Sequence, residues 1–296
     1  MKIYFPSYYN NFSCIADRCR HSCCVGWEIY VDDMTLEKYL RLGREDILSH
    51  IDGDTIALCD GERCPFLRTD GLCRLIAELG DDYTSKICRE HPRFYHKIGE
   101  RLEGGIGASC EEAARIILTS DAYREFVAVD RAECDAPEET ELDTLFAREE
   151  IYRILSDRSL PYHARVAKIR DKFSIPERLH TTTEWQAEFD LLELLDESHR
   201  ALIAVGKSDL REENSPYFER FLAYLIFRHV SPAEHSDNLR ARVAFAILLA
   251  EMLENAVATR ECTEAEIIDA ARIISEEIEY SEDNTAVLLL EIESVI

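Results

Sequence analysis

Residues 240–253 read Arg-Ala-Arg-Val-Ala-Phe-Ala-Ile-Leu-Leu-Ala-Glu-Met-Leu. Val243, Ala246, Ile247, Ala250 and Leu253 recur at three- and four-residue steps, which stacks them on one face of a helix. A stripe this apolar belongs to a helix buried among others. It is not a membrane span, because Glu251 interrupts it and it falls short of the roughly 18 apolar residues a span needs. Working outward, Thr183 with Gln186 and Thr263 with Glu266 match the capping box, in which each side chain satisfies an orphan backbone N–H. Ser215-Pro216 reads as an N-cap with proline at the first helical position. Breaks near Ser159-Leu160-Pro161, Ile175-Pro176, Ser215-Pro216, Ser231-Pro232 and Ser281 predict about six helices between residues 141 and 296. The fold class expected is mainly α.

The N-terminal part mixes loops with short pieces. Phe12, Trp27, Ile29 and Val31 read as short apolar or strand-like segments. Leu36–Ile51 reads as an amphipathic helix. Glu111–Val129 reads as a stronger one, with Ala114, Ile117, Leu118, Ala122 and Phe126 at helical spacing. The architecture predicted is a cysteine-rich loop-and-helix N-terminal region packed on a C-terminal multi-helix region.

The chain has 296 residues, a prior of about two domains or one large one. At 46% hydrophobic it can build a core, which excludes a disordered chain. Asp and Glu outnumber Lys and Arg by 59 to 34, a net charge of −25. Such a chain repels nucleic-acid phosphates and anionic membrane surfaces, so its expected partners are neutral or basic. Residues 1–130 hold 23 acids and 16 bases, and residues 131–296 hold 36 and 18. With the polar stretch Asp130–Asp143, this places a boundary between a cysteine-rich region 1–130 and an acidic all-helical region 131–296. The runs Glu138–Glu141 and Glu276–Glu279 read as solvated faces or linker. There is no internal repeat.

Nine of eleven cysteines fall in the first 110 residues. Residues 1–12 lack the basic-then-apolar pattern of a secretory signal, so the expected compartment is the cytoplasm. Thiols stay reduced there, and a cysteine cluster points to metal or catalysis rather than disulfides. Thiolates suit zinc or iron in an iron–sulfur cluster. Successive side chains diverge, so either Cys23 and Cys24 serve different sites or one is a buried thiol.

The run Cys14, Cys19, Cys23-Cys24-Val25-Gly26-Trp27, then Cys64-Pro65-Phe66-Leu67 and Gly71-Leu72-Cys73, then Cys88-Arg89-Glu90-His91-Pro92-Arg93, then Ser109-Cys110-Glu111-Glu112, resembles the flagellin lysine-N-methylase family. Its N-terminal part is similar to a wider group of cysteine-rich, zinc- or iron-chelating domains. Tyr224-Leu225-Ile226-Phe227-Arg228-His229 and Glu279-Tyr280-Ser281-Glu282-Asp283-Asn284 resemble later motifs of the same family. The resemblance implies a protein-lysine methyltransferase that moves a methyl group from S-adenosylmethionine to flagellin in the cytoplasm. It also implies a four-iron iron–sulfur cluster, rather than zinc, drawn from Cys14, Cys19, Cys23, Cys24, Cys64, Cys73, Cys88 and Cys110. Cys59, Cys134 and Cys262 lie outside the pattern. The glycine-rich segment 103–109 is a departure from it.

Methyl transfer needs a neutral amine, and free lysine titrates near ~10.4, so a base or desolvation must supply it. Candidate bases or orienting groups are Tyr95, His91, His229, Tyr224, Tyr280 and Asp283. Arg93 and Arg228 can hold the donor's carboxylate in a bidentate pair, or bind Asp or Glu inside the fold. Gly104-Gly105-Ile106-Gly107 reads as a turn before the Glu111 helix, because no β-branched strand precedes it as a nucleotide loop requires. Two rival functions use the same thiols without a methyl donor: metal chelation or delivery, and electron transfer.

Overall fold

The computed structural model describes residues 2–98, 101–130, 144–206, 211–233, 236–258 and 261–296. The expected boundary stretch, the acidic run 138–141 and Cys134 lie outside the described residues. In chain order the first elements are strand β1 (Lys2–Pro6), helices α1 (Asp33–Leu42) and α2 (Glu45–Leu48), and the short strands β2 (Ile51–Asp52) and β3 (Thr55–Ile56). Then come α3 (Arg74–Leu79), α4 (Lys86–Glu90), β4 (Arg93–Ile98), β5 (Arg101–Ile106), α5 (Glu111–Thr119) and β6 (Phe126–Asp130). The C-terminal helices are α6 (Thr144–Leu155), α7 (Tyr162–Lys172), α8 (Thr182–Phe189), α9 (Ser215–Val230), α10 (Ser236–Ala258), α11 (Glu264–Ile274) and α12 (Glu282–Val295). The mainly α fold is thus as the sequence reading has it, with seven α-helices after residue 141 among the described residues.

The stripe of residues 240–253 lies inside α10, which is buried on nearly every face and packs on α9, α11 and α12. Thr263 and Glu266 form the expected capping box at α11. At α8 the box is shifted: Thr181, not Thr183, takes the cap with Glu184, and Gln186 bonds Asp190 instead. Three consecutive threonines make either choice locally possible, and Glu184 secures Thr181 by also accepting its backbone N–H at 2.8 Å.

Two predicted helices are shorter than their patterns. The one over 36–51 is cut at Gly43, whose φ of 61° is the left-handed conformation that ends a helix and that glycine adopts without strain. The one over 111–129 ends at Thr119, because residues 126–130 pair antiparallel with β1 as β6. Phe126, Val127 and Val129 suit a strand, and only a distant partner makes it one. The four-stranded sheet runs β4-β5-β1-β6, with β1 parallel to β5 and β4 antiparallel to β5. Gly104 and Gly105 are therefore strand residues, not a turn. Gly105 lets aromatic rings lie on the sheet: a Cβ there would fall 2.5 Å from Phe94 and 2.9 Å from Phe227 of α9.

The main core joins this sheet and α5 to the C-terminal helices. Ile106, Ala114, Ile117 and Leu118 pack in one apolar cluster with α9 and α10. A second, smaller core holds Ile29, Val31, Tyr39, Ile47, Phe66 and Leu75. Buried charges are paired. Arg148 forks onto Glu103 at 2.5 and 2.7 Å, and Glu219 accepts from Arg165 and Tyr123.

Candidate functional site

Backbone hydrogen bonds set the thiols in place. Cys110 caps α5, and the backbone N–H groups of Glu112 and Ala113 point at its sulfur. Glu111, the next residue, holds the loop carrying Cys19. It accepts from the Arg20 backbone at 2.8 Å and from the Arg20 side chain at 3.0 Å, and Cys19 Sγ lies 3.8 Å from it. Burial pushes the Cys19 thiol up to about 11, and Glu111, Cys110 and Cys14 push the same way.

A second set of thiols sits in the small core. The Cys64 backbone N–H donates to Cys24 O at 2.8 Å, and Cys24, Cys64 and Cys73 pack together there. The N–H groups of Phe66 and Leu67 point at the Cys64 sulfur. Cys73 is the N-cap residue of α3, and burial pushes its thiol up. Cys88 lies on α4, which is tied to the start of α1 where Asp32 accepts the Lys86 N–H at 2.8 Å. Burial pushes Cys88 up to about 12, and Cys24, Cys64 and Cys73 raise it further. At the junction of the two sets the Cys23 thiol donates to Cys24, which holds Cys24 below its ordinary value and Cys23 above it. Cys59 is exposed, and Cys262 rests against the main core.

This donor set fits a soft metal. Cys24, Cys64 and Cys73 share the small core, Cys19 lies beside Glu111 next to Cys110, and thiolates are soft donors. A tetrahedral zinc at ~2.3 Å from each sulfur needs sulfurs about 3.8 Å apart. Among the described residues, no three cysteine sulfurs gather within 4.8 Å of one another.

The buried polar network on α9 is the second feature. Arg228, Tyr224 and His229 converge on Glu279. His229 Nε2 is 2.7 Å from Glu279 Oε1, Tyr224 Oη is 3.1 Å from it, and Arg228 Nε is 3.4 Å from it. Burial pushes the Glu279 carboxyl up, but Arg228 and His229 outweigh it and hold the group below its ordinary value. Tyr280 donates to Pro92 O at 3.2 Å and lies under the Arg228 guanidinium. Trp27, His91 and Tyr280 meet edge to face with centroids 5.3–6.0 Å apart. Burial, aided by Arg228 and Arg93, pushes His91 down to about 4, so it is neutral near pH 7.

Tyr224, His229, Tyr280, Arg228 and His91 are thus brought together, and Arg228 finds a glutamate inside the fold. Tyr95 is not among them. It is part-exposed on β4, against Phe5 and Tyr9. Asp283 is exposed in the first turn of α12. Arg93 bonds Tyr9 Oη at 3.0 Å and stacks over Phe12.

The run Glu276–Glu279 is not a solvated face. Residues 275–279 form a widened π turn, and Glu277 and Glu279 are buried. Glu277 accepts from the Leu195 and Asp196 backbones at 2.6 and 3.2 Å and faces His199 Nδ1 at 2.6 Å. His199 thus lies between two carboxylates, its Nδ1 against Glu277 and its Nε2 3.9 Å from Asp196 Oδ2. These side chains line a cleft of about 640 Å³ between the thiol-bearing loops and the C-terminal helices. Trp27 and His199 face it, with four carboxylates, Glu62, Asp196, Glu276 and Glu277, balanced by the guanidinium groups of Arg20, Arg63, Arg68 and Arg272, the last paired with Glu276 at 2.6 Å. Reading the sequence missed His199, Glu277 and Trp27 as site residues. The one available signal was a triple-acid run directly before Tyr280.

Fold and site together define a mainly helical protein with a thiol-rich face beside a cleft lined by charged side chains. Over 132 residues the chain is 32% identical to the lysine-N-methylases of Salmonella choleraesuis and Salmonella typhimurium, covering 40% of this chain and 33% of each relative. It is 31% identical over 132 residues to the flagellar biosynthetic protein FliU of Salmonella muenchen, covering 78% of that protein. The chain belongs to the family of FliU. The matched stretch spans about a third of the length of the two lysine-N-methylases. No family model and no solved structure matches the chain. No helix among the described residues is long and apolar enough to cross a membrane.

Proposed function

We propose that the chain is a protein-lysine N-methyltransferase. It transfers a methyl group from S-adenosylmethionine to lysine side chains of flagellin, acts in the cytoplasm, and carries an iron–sulfur cluster on its N-terminal thiols. The observation that carries this reading is the match to two lysine-N-methylases and to a flagellar biosynthetic protein. The cleft offers what the reaction needs. Glu62 and Asp196 offer carboxylates to a lysine ammonium, while Glu276 is paired with Arg272. The Trp27 face can take a cationic group, ammonium or sulfonium, by cation–π attraction.

His199 is the group we assign to accept the proton, because Glu277 orients its ring at Nδ1 and Nε2 lines the cleft beside Asp196. The amine nitrogen forms a bond to the methyl carbon, the carbon–sulfur bond breaks, and the thioether S-adenosylhomocysteine departs. A cluster, when bound, supplies iron–sulfur bonds that cross-link loops distant in sequence.

The test is anoxic incubation of the metal-loaded protein with flagellin and methyl-labelled S-adenosylmethionine. Label on flagellin lysines is the expected result. Metal-loaded protein that transfers none overturns the reading and leaves chelation or electron transfer in its place.

A further inference from the structure

Four large apolar side chains stand exposed along one edge of the C-terminal helices. Leu191 is 72% exposed, Leu290 66%, Leu195 53% and Val287 40%. Leu191 and Leu195 bracket Glu193 in the segment after α8. Glu193 O accepts from the Asn284 side chain, in the first turn of α12, at 2.7 Å. His180, just before α8, bonds Glu291 near the other end of α12 at 2.7 Å, so this segment runs alongside the helix. Val287 and Leu290 lie between those two ties, and the helical period turns both away from the buried Leu288 and Ile292. A single exposed leucine is ordinary, whereas several along one helix edge form a patch of the kind a partner covers. Leu195 also lines the cleft, so the patch leads into it.

The charge around the patch selects the partner. Residues 188–198 carry five carboxylates and residues 282–293 carry four, with no lysine or arginine in either stretch. Arg200, just beyond, is taken up by Glu197 and by the Phe189 and Leu192 carbonyls. Two copies of the chain meeting at this face would set like charges against each other, and an anionic lipid surface would be repelled in the same way. A basic partner is attracted. We propose that this edge of α12 is the docking surface for the protein substrate. Its occupant is an amphipathic helix whose apolar face covers Leu191, Val287 and Leu290 and whose lysines meet the surrounding carboxylates. Docked there, the helix passes Leu195 and offers a lysine to the cleft. The proposal rests on the reading of the chain as a flagellin lysine methyltransferase and adds how the substrate is held.

The metal-loaded chain is titrated with fluorescently labelled flagellin, and methyl transfer to flagellin is followed in parallel. Leu191→Ser/Leu290→Ser should weaken flagellin binding about tenfold or more, because two leucines lose their burial in the complex. KM for flagellin should rise alike and kcat should hold. Glu193→Lys/Asp283→Lys should weaken binding at low salt and much less at high salt. Circular dichroism and urea unfolding check that each variant folds, and Leu290→Ser alone serves if the double variant does not. Leucine variants that bind flagellin as tightly as the parent overturn the proposal, as does a parent that binds no flagellin. A parent that sediments as a dimer, with monomeric leucine variants, assigns the face to a second copy and also overturns it. Binding lost in the variants of a parent that transfers no methyl removes the proposed function and leaves the docking surface standing. Unchanged binding in the variants of a parent that methylates flagellin does the reverse.

Discussion

Removing the Glu279 carboxylate tests whether the α9 network holds the cleft together. Glu279 is fully buried at its side chain and is shared by Arg228, His229 and Tyr224. Glu279→Ala leaves the Arg228 charge buried without its carboxylate, and breaking one side of a buried pair costs about 3–5 kcal/mol. The contacts of Arg228 with Tyr280 and Phe94, at 4.5 and 4.7 Å, exist with or without Glu279 and so do not offset the loss. The expectation is a loss of about 3–5 kcal/mol. Glu279→Gln keeps an acceptor for His229 and should cost about half of that.

The assay is urea unfolding at pH 7, followed by tryptophan fluorescence and circular dichroism. A double-mutant cycle with Arg228→Met isolates the pair, and its coupling should exceed about 1 kcal/mol. Glu279 titrates low in the fold, so its contribution is present above its unfolded value of 4.5 and lost as pH falls through the lower folded value. A Glu279→Ala protein within about 0.5 kcal/mol of the parent, or a cycle with no coupling, would refute the reasoning.

Gly107→Ala places a Cβ 2.0 Å from Tyr280 Oη and 2.6 Å from Arg228 Nη1, and overpacking there should cost about 1–3 kcal/mol in the same unfolding assay. His91 and His96 are pushed down to about 4 and about 3, mainly by burial. Between pH 6.5 and 4 the unfolded chain binds protons the folded chain refuses, so stability should fall with pH, and His91→Asn should flatten that slope. Glu62→Gln with Asp196→Asn should raise the KM for flagellin several-fold at low salt and little at high salt, where screening removes the attraction. Cys59→Ser and Cys262→Ser should leave metal content unchanged, since neither thiol joins the converging sets.

Local chemistry made much of this legible from residues alone. The stripe through Val243 and Ile247 specified a buried helix because its period matches the α-helix. Thr263 and Glu266 specified a helix start because the capping box closes within four residues. The crowding of cysteines up to residue 110 raised the expectation of soft-metal chemistry, since side-chain softness is a property of the residue and not of the fold. The adjacency of Cys23 and Cys24 left two outcomes open, because diverging side chains do not say where each one ends.

Tertiary structure decided the rest. Residues 126–130 carried a helical pattern until pairing with β1 drew them into the sheet. Gly104 and Gly105 looked like a turn because the rings they accommodate, Phe5 and Tyr95 at Gly104 and Phe94 and Phe227 at Gly105, come from β1, β4 and α9. The run Glu276–Glu279 looked solvated, yet the π turn directs Glu277 toward His199 and Glu279 toward Arg228. In each case the deciding partner lies far along the chain, beyond what local periodicity and propensity encode. Composition and spacing determined which elements and which chemistry this protein has. Only the packing of distant segments decided which carboxylates, rings and thiols face one another.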